Sequence, residues 1–198
     1  MTLDDSKIIC EDDFLPEKDF NLVRDYILSY KMAWYWSGNY GGGYPIMEHV
    51  FYSEKRGPEL YAGLPMVNTT AFRYIDPVLA KLAPAGLVRV RANCSWRTDV
   101  NTMQQRGWHN DVPFDCTTAI LYLHDSDGCT VFKDGDDQAE VETKANRLIK
   151  FPSSYEHAAT PFTTPERRCV LNINYHPAAT VNANKTIIMT GTTNPEHW

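Results

Sequence analysis

From Leu87 onward the chain breaks into short runs of alternating apolar and polar residues, each closed by a turn signal: "DSDG", "KDGDD", "FPSS" and "TTPE". Runs of that length and spacing read as strands, and a succession of them suggests a barrel or jelly roll. The run "RCVLNINYH" shows the alternation most clearly. Arg168, Val170, Asn172 and Asn174 share one face, and Cys169, Leu171, Ile173 and Tyr175 share the other. A face that opens on a guanidinium and carries two amides is a poor core surface, because a buried arginine needs an acidic partner. If no protein group supplies it, an acidic ligand does, and the planar fork of Arg168 suits a carboxylate taken through two hydrogen bonds. Arg167 has the opposite phase and reads as exposed.

The first part of the chain has a different rhythm. In "PEKDFNLVRDYILSY" the residues Phe20, Val23, Ile27 and Tyr30 recur at helical spacing behind Pro16 and an acidic first turn. In "IDPVLAKLAP" Asp76 is placed to cap, Pro77 fits the first helical position, and Val78, Leu79 and Leu82 form the apolar side, with Pro84 and Gly86 as the stop. Between the helices lies "MAWYWSGNYGGGYPIMEHVFYSEKRG". Its triplet Gly41, Gly42 and Gly43 has nothing to pack, which suits a lid over a substrate. An ordinary hairpin, with Trp34, Trp36 and Tyr40 as packing residues, accounts for it equally. No repeat or long linker divides the chain, so residues 1–198 are expected to form one domain: helical support and a possible lid over 1–86, a β core over 87–176, and a C-terminal extension over 177–198.

Within the strand-rich part, "RGWHNDVPF" holds His109 and Asp111 two residues apart, and on extended backbone such residues point the same way. His157, in "SSYEHAATP", lies 46 residues beyond Asp111. Two histidines and a carboxylate make the facial triad that binds Fe(II) and leaves coordination positions open. A His-x-Asp tripeptide alone is commonplace; its position ahead of Arg168 gives it weight.

Composition narrows the remaining classes. A hydrophobic fraction of 43% with 12% aromatic residues is that of a globular protein, and the mean hydropathy of −0.41 agrees. A net charge of −6 and a pI near 5.5 disfavour nucleic acid or an anionic membrane as partner. Arg89, Arg91 and Arg97 cluster locally and read as the solvated face of a strand. The cysteines at 10, 94, 116, 129 and 169 lack metal-ligand pairing and disulfide density, so they read as reduced thiols. The acidic N-terminus has no signal-peptide pattern, and no run approaches the roughly 20 apolar residues of a membrane span. A cytoplasmic location is expected.

Taken in order, "VRVRANCSW", "WHNDVPFDCTTAILYLHDSDGCTVFKDGD", "ANRLIKFPSSYEHAATP" and "RRCVLNINYH" resemble the Fe(II)- and 2-oxoglutarate-dependent dioxygenases, in particular the prolyl-4-hydroxylase-like branch that includes small phage-encoded members. The resemblance covers about residues 87 to 176. It implies a mainly β fold with flanking helices, the double-stranded β-helix or cupin-like jelly roll. It implies Fe(II) on His109, Asp111 and His157, with O2 as the oxidant and 2-oxoglutarate as cosubstrate. The far carboxylate of 2-oxoglutarate would meet Arg168 and Tyr122, and turnover would release succinate and carbon dioxide. Asn93 would reach the cosubstrate, though Ser95 stands where related enzymes often carry a tyrosine. Asn172 would reach the inner end of the pocket, and Trp108 would flank the metal.

A small-molecule or peptide substrate is implied, a prolyl residue or an amino acid by preference, in the cytoplasm of a host if the chain is phage-encoded. The competing reading is a non-catalytic metal-binding jelly roll that serves as an accessory or interaction protein; it accounts for the triad but not for Arg168. His49, His124, His176 and His197 fall outside the family's motifs and read as structural.

Overall fold

The computed structural model describes residues 3–40, 44–54, 66–67, 69–97, 107–135 and 137–178. The chain opens with β1 (Ile9–Glu11) and then α1 (Glu17–Ile27), whose first turn holds Glu17 and Asp19 behind Pro16. Phe20, Val23 and Ile27 are buried, as their spacing predicts. Tyr30 is 94% exposed, because the helix ends before it and the apolar stripe no longer continues. A hairpin follows, β2 (Tyr35–Tyr40) with β3 (Tyr44–Ser53), and β3 also pairs with the short β4 (Met66–Val67).

The short helix α2 (Thr69–Phe72) precedes α3 (Asp76–Leu82). Val78 of α3 is buried, and Leu79 and Leu82 pack against the core. Asp76 does not cap this helix: it is already its first residue, with Ile75 at the cap position. Ala83 stops the helix in a left-handed conformation at φ 46°, and Pro84 already belongs to the next strand.

That strand is β5 (Pro84–Trp96), followed by β6 (Thr117–Tyr122), β7 (Cys129–Asp134), β8 (Asp137–Glu142), β9 (Leu148–Pro152), β10 (Glu156–Ala159) and β11 (Arg167–Pro177). They form two antiparallel sheets. The larger runs β1-β9-β6-β11-β5-β3-β2 with β4 beside β3, and the smaller runs β10-β7-β8. This is the mainly β jelly roll with flanking helices that the turn spacing predicts. Residues 1–86 supply sheet as well as helix, since β1 to β4 all lie within them.

The alternation of β11 sorts the layers. Cys169, Leu171 and Ile173 join Val90, Ala92 and Cys94 of β5 in a core closed by Phe20, Val23 and Ile27 of α1 and Val78 of α3. On the other face of the large sheet, Ile120, Tyr122, Ile149 and Phe151 meet Phe132 and Val141 of the small sheet. The inner face of β5 and β11 beyond that second core is left polar. Cys10, Cys116, Cys129 and Cys169 are free thiols. Among the described residues no helix is long and apolar enough to cross a membrane. Gly41, Gly42 and Gly43 lie outside the described residues, as do His197 and residues 179–198.

Candidate active site

Register places the polar face. In the β5–β11 pairing Arg168 stands opposite Ser95, Val170 opposite Asn93, Asn172 opposite Arg91 and Asn174 opposite Arg89. Opposed residues share a face, so strict alternation brings these side chains to the same side of the large sheet. The small sheet faces them with Thr130 of β7 and His157 of β10. Between the sheets lies a cavity of about 410 Å³ lined by residues of both, a size within the range of small-molecule sites.

His109 belongs to no strand but forms an isolated antiparallel bridge with His157: each backbone N–H donates to the other's carbonyl, at 3.1 and 3.0 Å. The imidazole centroids then lie 4.5 Å apart. Each Nδ1 lies 3.1 Å from the carbonyl oxygen two residues earlier, Gly107 for His109 and Tyr155 for His157. A carbonyl only accepts, so both Nδ1 atoms carry a proton, and in the neutral ring Nε2 is the nitrogen left to bind a ligand. Together with Asp111 the two imidazoles offer three ligand atoms within 4.8 Å of one another.

Asp111 is buried and heavily supported. Arg89 donates to its Oδ1 at 3.0 Å and to its backbone carbonyl at 3.2 Å, and Arg91 reaches Oδ1 at 3.4 Å. Asn172, Asn174 and Thr118 donate to Oδ2 at 3.1, 3.2 and 3.2 Å. Burial pushes this carboxyl up, but His157, Arg91, Arg89 and the Asn172 amide together hold it well below the ordinary carboxylate range. Burial holds His157 below the ordinary imidazole value, against the pull of Asp111. A carboxylate and unprotonated imidazoles are the states a divalent cation requires. The residues present therefore fit Fe(II).

At the other end of the cavity Arg168 is buried, and among the described residues no carboxylate pairs with it. Its Nη2 donates to Thr130 Oγ1 at 3.2 Å, while Nε has no partner. Asn93 Oδ1 and Asn172 Oδ1 are likewise buried without partners. Orphaned polar atoms around one cavity are costly unless something occupies it. A dianion with one end on the cation and the other on Arg168 supplies the acceptor that the Arg168 Nε lacks, so 2-oxoglutarate fits the arginine and the cation ligands, while the two amide oxygens call for a donor.

The structure thus gathers His109, Asp111, His157, Arg168, Asn93 and Asn172 around one cavity, with Trp108 beside them. Tyr122 does not line it. Its ring is fully buried and its hydroxyl donates to Thr130 Oγ1 at 2.7 Å, so it meets the same threonine as Arg168. Ser95 is buried and donates to the Arg168 carbonyl at 3.3 Å.

Arg89 and Arg91 correct the sequence reading: they occupy the cavity face and not solvent, because the strand's inner face is polar over its whole length. Thr130 and Glu48 are site residues that sequence reasoning missed. The threonine was in view in the motif "GCTVF", but its contacts arise only when β7 folds over β11. His124 is structural, its Nε2 accepting from the Cys169 N–H at 2.9 Å. His49 is buried in the helix-side layer with its Nδ1 2.7 Å from the Ala33 carbonyl oxygen, and His176 is exposed.

The family model of the 2OG-Fe(II) oxygenase superfamily matches residues 96–176. No curated protein matches the chain. Among solved structures, an oxidoreductase of the 2OG-Fe(II) oxygenase family from Burkholderia pseudomallei is similar at 14% identity and TM-score 0.65, covering 86% of each chain. A prolyl hydroxylase in complex with a hypoxia inducible factor peptide, from Trichoplax adhaerens, is similar at 14% identity and TM-score 0.60, covering 86% of this chain and 84% of that one. The epimerase SnoN, in complex with Fe3+, alpha ketoglutarate and nogalamycin RO, is similar at 14% identity and TM-score 0.60, covering 87% of this chain and 79% of that one. At such identities the likeness is one of fold.

Proposed function

We propose that the chain, whose residues 96–176 match the model of the 2OG-Fe(II) oxygenase superfamily, is a non-haem iron dioxygenase dependent on Fe(II), 2-oxoglutarate and O2 that hydroxylates a C–H bond and releases succinate and carbon dioxide. The single observation that carries this reading is the three-ligand cluster standing across one cavity from a buried arginine that has no acidic partner among the described residues. His109, Asp111 and His157 would hold Fe(II), and Arg168 would hold the far carboxylate of 2-oxoglutarate. When bound, the iron supplies with 2-oxoglutarate and oxygen the oxidising power that the side chains lack.

The chain's own residues do the positioning. The paired backbone of His109 and His157 fixes the two imidazoles, and the Gly107 and Tyr155 carbonyls fix their tautomers. Asn172, Asn174, Thr118 and Arg89 hold Asp111 ionised and in place. Thr130 orients the Arg168 fork and is itself backed by Tyr122. Asn93 and Asn172 keep unpartnered amide oxygens in the cavity, where they would accept hydrogen bonds from water or from a donor on the substrate. Ile46, Val170 and Trp108 give the cavity apolar wall, which excludes water from the reacting groups.

Residues 1–198 act in this reading as one catalytic domain, and a prolyl residue or an amino acid is the favoured substrate. The test is succinate release from 2-oxoglutarate with and without added Fe(II), over a panel of prolyl peptides and free amino acids, with product mass read in parallel. Iron-dependent succinate and a product heavier by one oxygen are expected, and His157→Ala should lose both together with tight metal binding. Succinate release that ignores iron, or survives His157→Ala, would remove the assignment.

A further inference from the structure

Among the described residues three guanidiniums face the cavity, and two of them have defined work. Arg89 is bound to the Asp111 carboxylate and carbonyl and to Asn174 Oδ1. Arg168 stands at the far end with Thr130. Arg91 is different. Its Nη1 lies 3.6 Å from Glu48 Oε2 and its Nη2 3.4 Å from Asp111 Oδ1, both long beside the roughly 2.7–2.9 Å of a good charge-assisted hydrogen bond. Its Nε is buried with no partner at all. The side chain is only 14% exposed, so this is a largely desolvated cation held by two slack contacts.

Charge balance sharpens the point. Among the described residues, Arg89, Arg91 and Arg168 face Asp111 and Glu48 in the same cavity, which leaves one positive charge in excess. Fe(II) and the 2-oxoglutarate dianion cancel each other, so loading the site as proposed above leaves that excess untouched. A low-dielectric pocket does not tolerate an uncompensated charge cheaply. Position decides where the missing anion belongs. Asn172, opposite Arg91 in register, approaches Asp111 from β11, whereas Arg91 also reaches Glu48 of β3, the neighbour of β5 on the side away from β11 and Arg168. The carboxylate of 2-oxoglutarate cannot occupy both arginines from one end.

We propose that Arg91 is a specificity-determining residue that binds a carboxylate on the primary substrate, and that the substrate is therefore a free small carboxylic acid of the amino-acid kind. A prolyl residue inside a peptide chain has no carboxylate of its own to offer there. Glu48, bounding the same cavity, sits where it can receive an ammonium next to that carboxylate. The size of the cavity agrees: about 410 Å³ lies toward the lower end of ligand pockets and must hold the cosubstrate as well. The inference rests on the function proposed above, and its test separates the two.

The test uses the full chain loaded with Mn(II) and 2-oxoglutarate without oxygen, so that binding is read apart from turnover. The probes are free L-amino acids including L-proline, the matching amino-acid amides, and peptides capped at both ends, with affinity measured by calorimetry. Mn(II) and 2-oxoglutarate affinities are recorded separately. At least one free carboxylate should bind, with its amide and the capped peptide at least tenfold weaker. Arg91→Gln should lose at least tenfold affinity for that carboxylate while its 2-oxoglutarate affinity stays within twofold and any fall in Mn(II) affinity is smaller than the loss of the acid, and Arg91→Lys should fall between.

Amides or capped peptides binding as well as free acids would overturn the proposal, as would the absence of binding by any free acid. So would an Arg91→Gln variant that binds the acid normally, or one whose Mn(II) affinity falls as far as its affinity for the acid, since Arg91 would then serve Asp111 alone. A wild-type chain that fails to bind Mn(II) or 2-oxoglutarate would overturn the proposed function itself.

Discussion

Arg168 and Arg167 adjoin in sequence and differ in everything else. Arg168 is buried on the cavity face, and burial draws its guanidinium below the ordinary value. Arg167 is exposed, with one long contact of 3.3 Å to the Leu28 carbonyl. Replacing Arg168 by Ala should raise the 2-oxoglutarate requirement by roughly 2–5 kcal/mol in binding terms, with metal affinity retained. Arg167→Ala should stay within about 0.5 kcal/mol. Titrations of both variants with 2-oxoglutarate check this, and equal effects would sink the assignment. Thr130→Val tests the layer behind: it removes the acceptor shared by Arg168 Nη2 and the buried Tyr122 hydroxyl. A stranded donor there should cost about 1–3 kcal/mol of stability, read by denaturant melts, with weaker 2-oxoglutarate binding beside it. The phase of "RCVLNINYH" made Arg168 legible in the sequence. The equal alternation of "VRVRANCS" did not reveal Arg89 and Arg91, because a period of two marks faces but does not say whether a polar face meets water or a cavity.

Elements contribute by holding the segment from His109 to Cys116, which is not a strand and has no ladder of its own. The turn after β9 clamps it. Ser153 donates from Oγ to the Phe114 carbonyl at 2.8 Å and accepts there from the Cys116 N–H at 3.0 Å, while its own N–H donates to the Cys116 carbonyl at 2.9 Å. Asn110 Nδ2 adds a bond to the Ser154 carbonyl at 2.6 Å. Ser153 is fully buried, so Ser153→Ala leaves a carbonyl and an N–H without partners and should cost about 1–3 kcal/mol. Because Asp111 lies at one end of the clamped segment, Mn(II) affinity should fall as well. A stability loss with unchanged Mn(II) affinity would show that the clamp does not reach the ligands. The strands from β5 to β11 were legible through their turn signals. β1 was not, since three residues at a sheet edge acquire their pairing from β9, far along the chain. The glycine-marked region between the helices left lid and hairpin open; its described residues pair as β2 and β3, and β3 lends Ile46 and Glu48 to the cavity wall.

At the scale of the molecule, fold class could be read because turn spacing and strand phase are local properties. The order of strands could not, because it depends on which buried faces meet. Ties between strand ends come from side chains whose partners are equally remote in sequence, and one of them makes stability sensitive to pH. His124 Nε2 accepts the backbone N–H of Cys169 at 2.9 Å while its Nδ1 faces the Asp125 carbonyl at 3.1 Å, so it ties the end of β6 to the start of β11 only as the neutral imidazole. Burial holds it below the ordinary histidine value, and the charges of Arg168 and Arg167 act in the same direction. The unfolded chain, with histidine near 6.5, therefore binds the proton first as pH falls. Stability is complete above about 6.5 and is lost as pH drops from there toward the folded value, at no more than about 1.4 kcal/mol per pH unit for this group. Buried His49 and His157 are also held low and add to the slope. His124→Gln keeps an acceptor but cannot titrate, so urea unfolding of the metal-free protein between pH 7.5 and 5.5 should show a shallower pH dependence than the wild type. An unchanged slope would mean that His124 is not held neutral in the folded state and that the bond to Cys169 contributes nothing to the acid limit of the fold.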